Sequence, residues 1–101
     1  MALSNASLTS TASNVYVSSG NTVVSVAYFL NTDGTAVNLN LWAVPTGSSA
    51  SGDSNQIYRN VQIAGGDTFV VDMEKLVLAN GDYIVGNASG NITATVSYVG
   101  I

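Results

Sequence analysis

Apolar and polar residues alternate along most of this chain, and that period of two limits its fold more than any other feature. In residues 22–31 the even positions Val24, Val26, Tyr28 and Leu30 form one apolar face. In 36–44 the odd positions Val37, Leu39, Leu41 and Ala43 do so, with Asn38 and Asn40 opposite. Near the end, Ile92, Ala94, Val96 and Tyr98 alternate with Thr93, Thr95 and Ser97. Successive side chains of a strand point to opposite sides, so this alternation marks half-buried strands, and Val, Ile, Thr and Tyr suit them. Shorter strands are expected at 15–17, 56–63, 68–73 and 83–87, with a further one near 7–10. The total is about seven or eight. With 101 residues there is enough chain for one core. The expected fold is therefore all-β: a single antiparallel β-sandwich, jelly-roll or Greek-key like.

Turn chemistry punctuates the strands. Asp33-Gly34 between two alternating runs predicts a hairpin. Ala64-Gly65-Gly66-Asp67 joins the next pair, and Asn80-Gly81-Asp82 turns into the strand at 83–87. The Ser- and Gly-rich stretch 45–55 reads as the one long loop. Only 72–79, through Met73-Glu74-Lys75-Leu76, offers a helical pattern, and it is too short for more than a turn.

The segment 22–31 departs from simple alternation, because its odd face holds Val23, Ser25, Ala27 and Phe29. It is apolar on both sides, whereas a two-layer sandwich has one interior. The second face needs cover, from the chain's own N-terminal segment or from another subunit. Trp42 falls on the polar face of its strand, and aromatic residues are enriched where surfaces dock. These residues define a candidate interface of Val23, Ala27, Phe29, Trp42, Tyr58 and Arg59. Arg59 shares parity with Ile57, Val61 and Ile63, so it either points inward at a sheet edge, a device against edge-to-edge pairing, or bridges to an acid of another subunit. Residues 1–14 are expected to form an arm, flexible or ordered on a partner, and 15–101 the sandwich domain.

Composition removes most chemistries. There is no Cys and no His, hence no thiolate, structural zinc of the Cys type or imidazole base. Charged residues make up 8 %, against about 25 % in an average domain. Arg59 and Lys75 face six acids for a net charge of −4, too few cations to neutralise phosphates, so nucleic acid is not an expected partner. No apolar run approaches the ~18 residues of a membrane span. Residues 1–14 lack a basic start and an apolar stretch, which predicts a protein made and kept in a cytoplasm until export or release. Asp72 and Glu74 share strand parity, as a glycosidase pair would, but beside Lys75 they read as solvated acids. Lys75, flanked by Glu74, reads as paired and wet rather than as the base of a Ser–Lys site. Asp53, Asp67 and Asp82 lie in turns, without the spacing of a calcium loop. The sequons at Asn5, Asn87 and Asn91 are what chance yields in so Ser-, Thr- and Asn-rich a chain. No catalytic residue, metal or cofactor is expected.

Three stretches carry a resemblance: Asn31-Thr32-Asp33-Gly34-Thr35-Ala36-Val37-Asn38-Leu39-Asn40-Leu41-Trp42-Ala43-Val44-Pro45, Asn55-Gln56-Ile57-Tyr58-Arg59-Asn60-Val61-Gln62-Ile63-Ala64-Gly65-Gly66-Asp67-Thr68, and Leu76-Val77-Leu78-Ala79-Asn80-Gly81-Asp82. In these the chain resembles a family of small virion proteins of tailed bacteriophages, from Val15 onward. Where such proteins commonly show a Pro-Ala-Gly turn, this chain has Ser18-Ser19-Gly20-Asn21. The resemblance implies a β-sandwich sitting on a capsid or in a tail or fibre, often a homotrimer, localised to the virion after synthesis in the host cytoplasm. The expected function is capsid decoration: binding the major capsid protein and reinforcing the head, without membrane, nucleic acid or cofactor. A tail, baseplate or fibre component is the alternative. A carbohydrate-binding module is a further one, in which Trp42, Tyr58 and amides such as Asn40 or Asn60 line a sugar platform.

Overall fold

The computed structural model describes residues 2–49, 54–71 and 76–101. The described residues form nine strands: β1 (Ala2–Leu8), β2 (Ser13–Val17), β3 (Thr22–Asn31), β4 (Val37–Val44), β5 (Gln56–Ile63), β6 (Thr68–Val71), β7 (Leu76–Leu78), β8 (Tyr83–Ala88) and β9 (Ile92–Gly100). One sheet runs β1-β9-β3-β6, with β7 also on β3, and the other runs β2-β8-β4-β5. Every pairing is antiparallel. β6 lies along the C-terminal half of β3 and β7 along its N-terminal half, so they occupy one place in the sheet. Counted that way, eight positions switch between the sheets at every connection but β4–β5, which is jelly-roll order, as the expected architecture requires.

The connections differ from the sequence reading. Asp33-Gly34 does not make a hairpin, because β3 and β4 belong to different sheets. It is an arch over the end of the sandwich, as are the turns at 64–67 and 79–82. An Asp-Gly pair bends the chain equally well whether the next strand pairs with the last or crosses to the opposite layer. Residues 2–8 are not an arm either. β1 pairs with β9 through seven residues, from Ala2↔Tyr98 to Leu8↔Ile92, and Leu8 is fully buried. Leu76–Leu78, read within a helical turn, is strand. Asp53, Asp72, Met73, Glu74 and Lys75 lie outside the described residues.

The core lies between the sheets and is built from Phe29, Leu8, Leu39, Leu41, Ile92 and Val96 among others. Gly86 points into it on β8. A Cβ there would meet Leu8 Cδ1 at 2.9 Å and Leu41 Cδ2 at 3.0 Å, so the absent side chain lets the two leucines close over the strand. Asn31, completely buried at the end of β3, ties two arches together. Its Nδ2 donates to the carbonyls of Thr35 (2.8 Å) and Ile63 (2.9 Å), and its Oδ1 accepts from the Asp33 N–H (2.9 Å).

A β-bulge decides which side of β3 is inside. Val24 pairs with Tyr98 and Val26 with Ser97, leaving Ser25 as the extra residue, its hydroxyl donating to the Ser97 carbonyl at 3.1 Å. The extra residue reverses the parity of everything that follows. Val24 points inward, but so then do Ala27, Phe29 and Asn31, while Val26, Tyr28 and Leu30 turn outward.

Candidate docking surface

The doubly apolar strand is real, but its uncovered side is the other one. Ala27 and Phe29 are 7 % and 1 % exposed within a single copy, sealed by the chain's own second sheet, and so are withdrawn from the candidate interface. Tyr28, at 42 %, and Leu30 face outward in their place. Of the expected set, Val23 alone stays on this outer face, half-buried between Val77 of β7 and Val99 of β9.

The registers lay out the face in rows across the strands. Val77, Val23 and Val99 form one row, and Val26, Ser97 and Leu3 the next. Val70, Tyr28, Thr95 and Asn5 follow, then Thr68, Leu30, Thr93 and Ser7. Its polar groups are small hydroxyls plus Asn5, whose Oδ1 accepts from the Thr95 hydroxyl at 3.0 Å. The described charged residues, Asp33, Arg59, Asp67 and Asp82, lie in none of these rows. Of nine large hydrophobic residues exposed among the described residues, six are here: Leu3 (68 %), Tyr28, Leu30, Val70, Val77 (62 %) and Val99. Together these residues leave on the order of 500 Å² open, toward the upper end of the largest patches on monomers, which are often functional.

The remaining expected interface residues lie elsewhere. Trp42 is half-buried on the outer face of the four-stranded sheet, paired with Val85 and Gln56. Beside it runs an amide row. Asn40 Nδ2 donates to Asn87 Oδ1 at 3.0 Å, and Asn40 Oδ1 accepts from Gln56 Nε2 at 3.2 Å and the Asn60 N–H at 2.9 Å. Tyr58 turns into the sandwich, its ring edge-on to Phe69 at 5.4 Å, and does not join Trp42 in a platform. Arg59 is exposed rather than inward, with Nε donating to Gln56 Oε1 at 3.0 Å. The reason is a second bulge at Asn60, held at φ 50°, which breaks the parity linking Arg59 to Val61.

Asp33 and Asp82 each hold loop backbone. Asp33 Oδ2 accepts from the Asn91 N–H, while Asp82 accepts from the Thr46 and Ala79 N–H groups. Asp82 lies beside Ser18, before β3, whereas the Asp67 carbonyl accepts from Asn31 at its far end. A ten-residue strand separates them by about 30 Å, so they cannot share a cation. No group of three or more His, Cys, Asp or Glu side chains converges among the described residues. Compared with protein-family models, curated proteins and solved structures, the chain matches none.

Proposed function

We propose that this protein is a structural component of a tailed-phage particle, a capsid decoration protein that works by contact rather than by chemistry. The outward face of the five-stranded sheet is the contact by which each copy joins its neighbours on the particle. One observation carries this reading: four consecutive rows across β1, β9, β3 and β6/β7 hold no charge and expose Leu3, Tyr28, Leu30, Val70, Val77 and Val99 together. Among the described residues only Val17, Ile57 and Ile101 are large apolar side chains exposed elsewhere, so the apolar surface is concentrated where the protein meets something. The segments resembling small virion proteins supply the phage context, and jelly rolls occur among capsid and lectin domains alike, so the fold agrees without selecting. Reinforcement follows from repetition. Each contact is modest, and multivalent attachment to the major capsid protein lattice multiplies it through effective concentration.

The test is co-sedimentation of the purified protein with phage heads, wild type against Val70→Lys. Wild type is expected to pellet with the heads, and the variant to bind at least tenfold less. A wild type that stays in the supernatant overturns the reading. Copy number per particle separates head from tail: stoichiometry matching the capsid lattice means decoration, and stoichiometry of a tail organelle means the tail alternative.

The amide row beside Trp42 supports a second reading, a glycan platform built from Trp42, Asn40, Gln56 and Asn87. Aromatic faces and locked amides suit sugar rings and hydroxyls. Quenching of the single Trp by host polysaccharide is the expected sign, and an unchanged emission removes this reading.

A further inference from the structure

We infer that the occupant of the five-stranded sheet's outer face is a second copy of this chain, docked face to face about a two-fold axis. The inference deepens the proposed function and rests on the same surface, but it commits to the partner and to the symmetry.

Area, charge and shape argue for this occupant. About 500 Å² per copy gives about 1,000 Å² for a pair, the lower limit of a specific interface and the range of weak, reversible ones. The chain carries −4, so two copies repel unless their charges stay away from the seam. The four rows hold none, and the described acids Asp33, Asp67 and Asp82 sit in the arches. An uncharged face also gives nothing to steer or select a charged partner. Twisted antiparallel sheets pack on one another at ~10 Å, with strands inclined by about 30°. The outer rows interleave Val, Leu and the central Tyr28 with small hydroxyl residues, a relief without long polar side chains to hold two such faces apart.

The symmetry follows from the count of patches. A ring such as a trimer joins two different complementary surfaces on each copy, whereas one self-complementary surface closes as a two-fold pair. The described surface shows one such face, and the other exposed hydrophobics, Val17, Ile57 and Ile101, lie off its rows. The geometry therefore favours a dimer over the trimer that the phage resemblance implies. In that dimer both four-stranded sheets, with Trp42 and the amide row, face outward on opposite sides. Such a pair is bivalent and can bridge two sites on a lattice.

Sedimentation equilibrium tests this across about 1 µM to 1 mM, a range that brackets weak interfaces of this size. The expected result is a smooth rise from one chain mass to two. Val70→Lys and Thr93→Lys both place a charge on the outer rows, and each is expected to remain at one chain mass with its Trp42 emission unchanged. Because the chain has no cysteine, a single Tyr28→Cys substitution near the middle of the face is expected to give a disulfide-linked dimer on mild oxidation. A wild type that stays monomeric throughout, or that plateaus at three chain masses, overturns the inference. A monomeric wild type whose head binding is still abolished by Val70→Lys means that a particle protein occupies the face. The inference then fails and the proposed function stands. A dimer that never attaches to heads does the reverse.

Discussion

Asn31 shows how much of this fold rests on single polar side chains. It is fully buried, yet all its side-chain bonds go to backbone groups of two different arches. Asn31→Leu fills similar space but strands two carbonyls and an N–H, each costing about 1–3 kcal/mol when buried. We expect a loss of about 2–4 kcal/mol, read as a melting temperature lower by roughly 10–20 °C for a domain this small. Alternation put Ala27 and Phe29 on one side of the strand, and the structure keeps them together. What alternation missed was Ser25. One extra residue in the ladder exchanges the roles of Phe29 and Tyr28, and a bulge of this kind carries no signature when its residues are an ordinary Val-Ser-Val. The same failure at Asn60 misdirected Arg59.

Strands were legible and their connections were not. Long alternating runs fixed β3, β4 and β9 almost to the residue, because burial on one face imposes the pattern directly. Arch and hairpin use the same turn residues, so Asp33-Gly34 says nothing about which layer comes next. Gly65 shows the arch geometry that sequence does not encode: a Cβ there would lie 2.6 Å from the backbone of Gly34, where two arches cross. β1 was hidden by its own composition, since Ser4, Asn5 and Ser7 look like an arm until β9 pairs with them. Deleting residues 1–8 therefore removes a strand and the buried Leu8 rather than a tether. The shortened protein is expected to lose cooperative unfolding, and thermal denaturation by circular dichroism checks it. A sharp transition within a few degrees of wild type would show that β1 contributes only packing at the edge.

At the scale of the molecule, the described charges stand apart from the apolar rows of the five-stranded sheet. Association through an uncharged face should respond weakly to simple salt, because there are no ion pairs at the seam to screen. Raising sodium chloride from low concentration to about 1 M is expected to change the apparent association constant by less than about threefold. Ammonium sulfate, which strengthens burial of apolar surface, should favour association instead. A steep weakening with sodium chloride would mean that charged groups carry the contact. The candidate surface was half legible: doubled apolarity of one strand pointed to a partner, but only the registers showed which side was left open.

The position of β9 has a kinetic consequence. It lies between β1 and β3, so the last of the nine described strands to be synthesised is an inner strand of its sheet. A growing chain lacks that slat until residues 92–100 have emerged, and β1 has nothing in its sheet to pair with before then. Closure must wait for contacts spanning nearly the full length of the chain, which slows folding relative to locally wired topologies. The rows that would recognise another molecule are complete only once β9 has paired with both neighbours, so the docking of that one strand sets the earliest moment at which copies can gather.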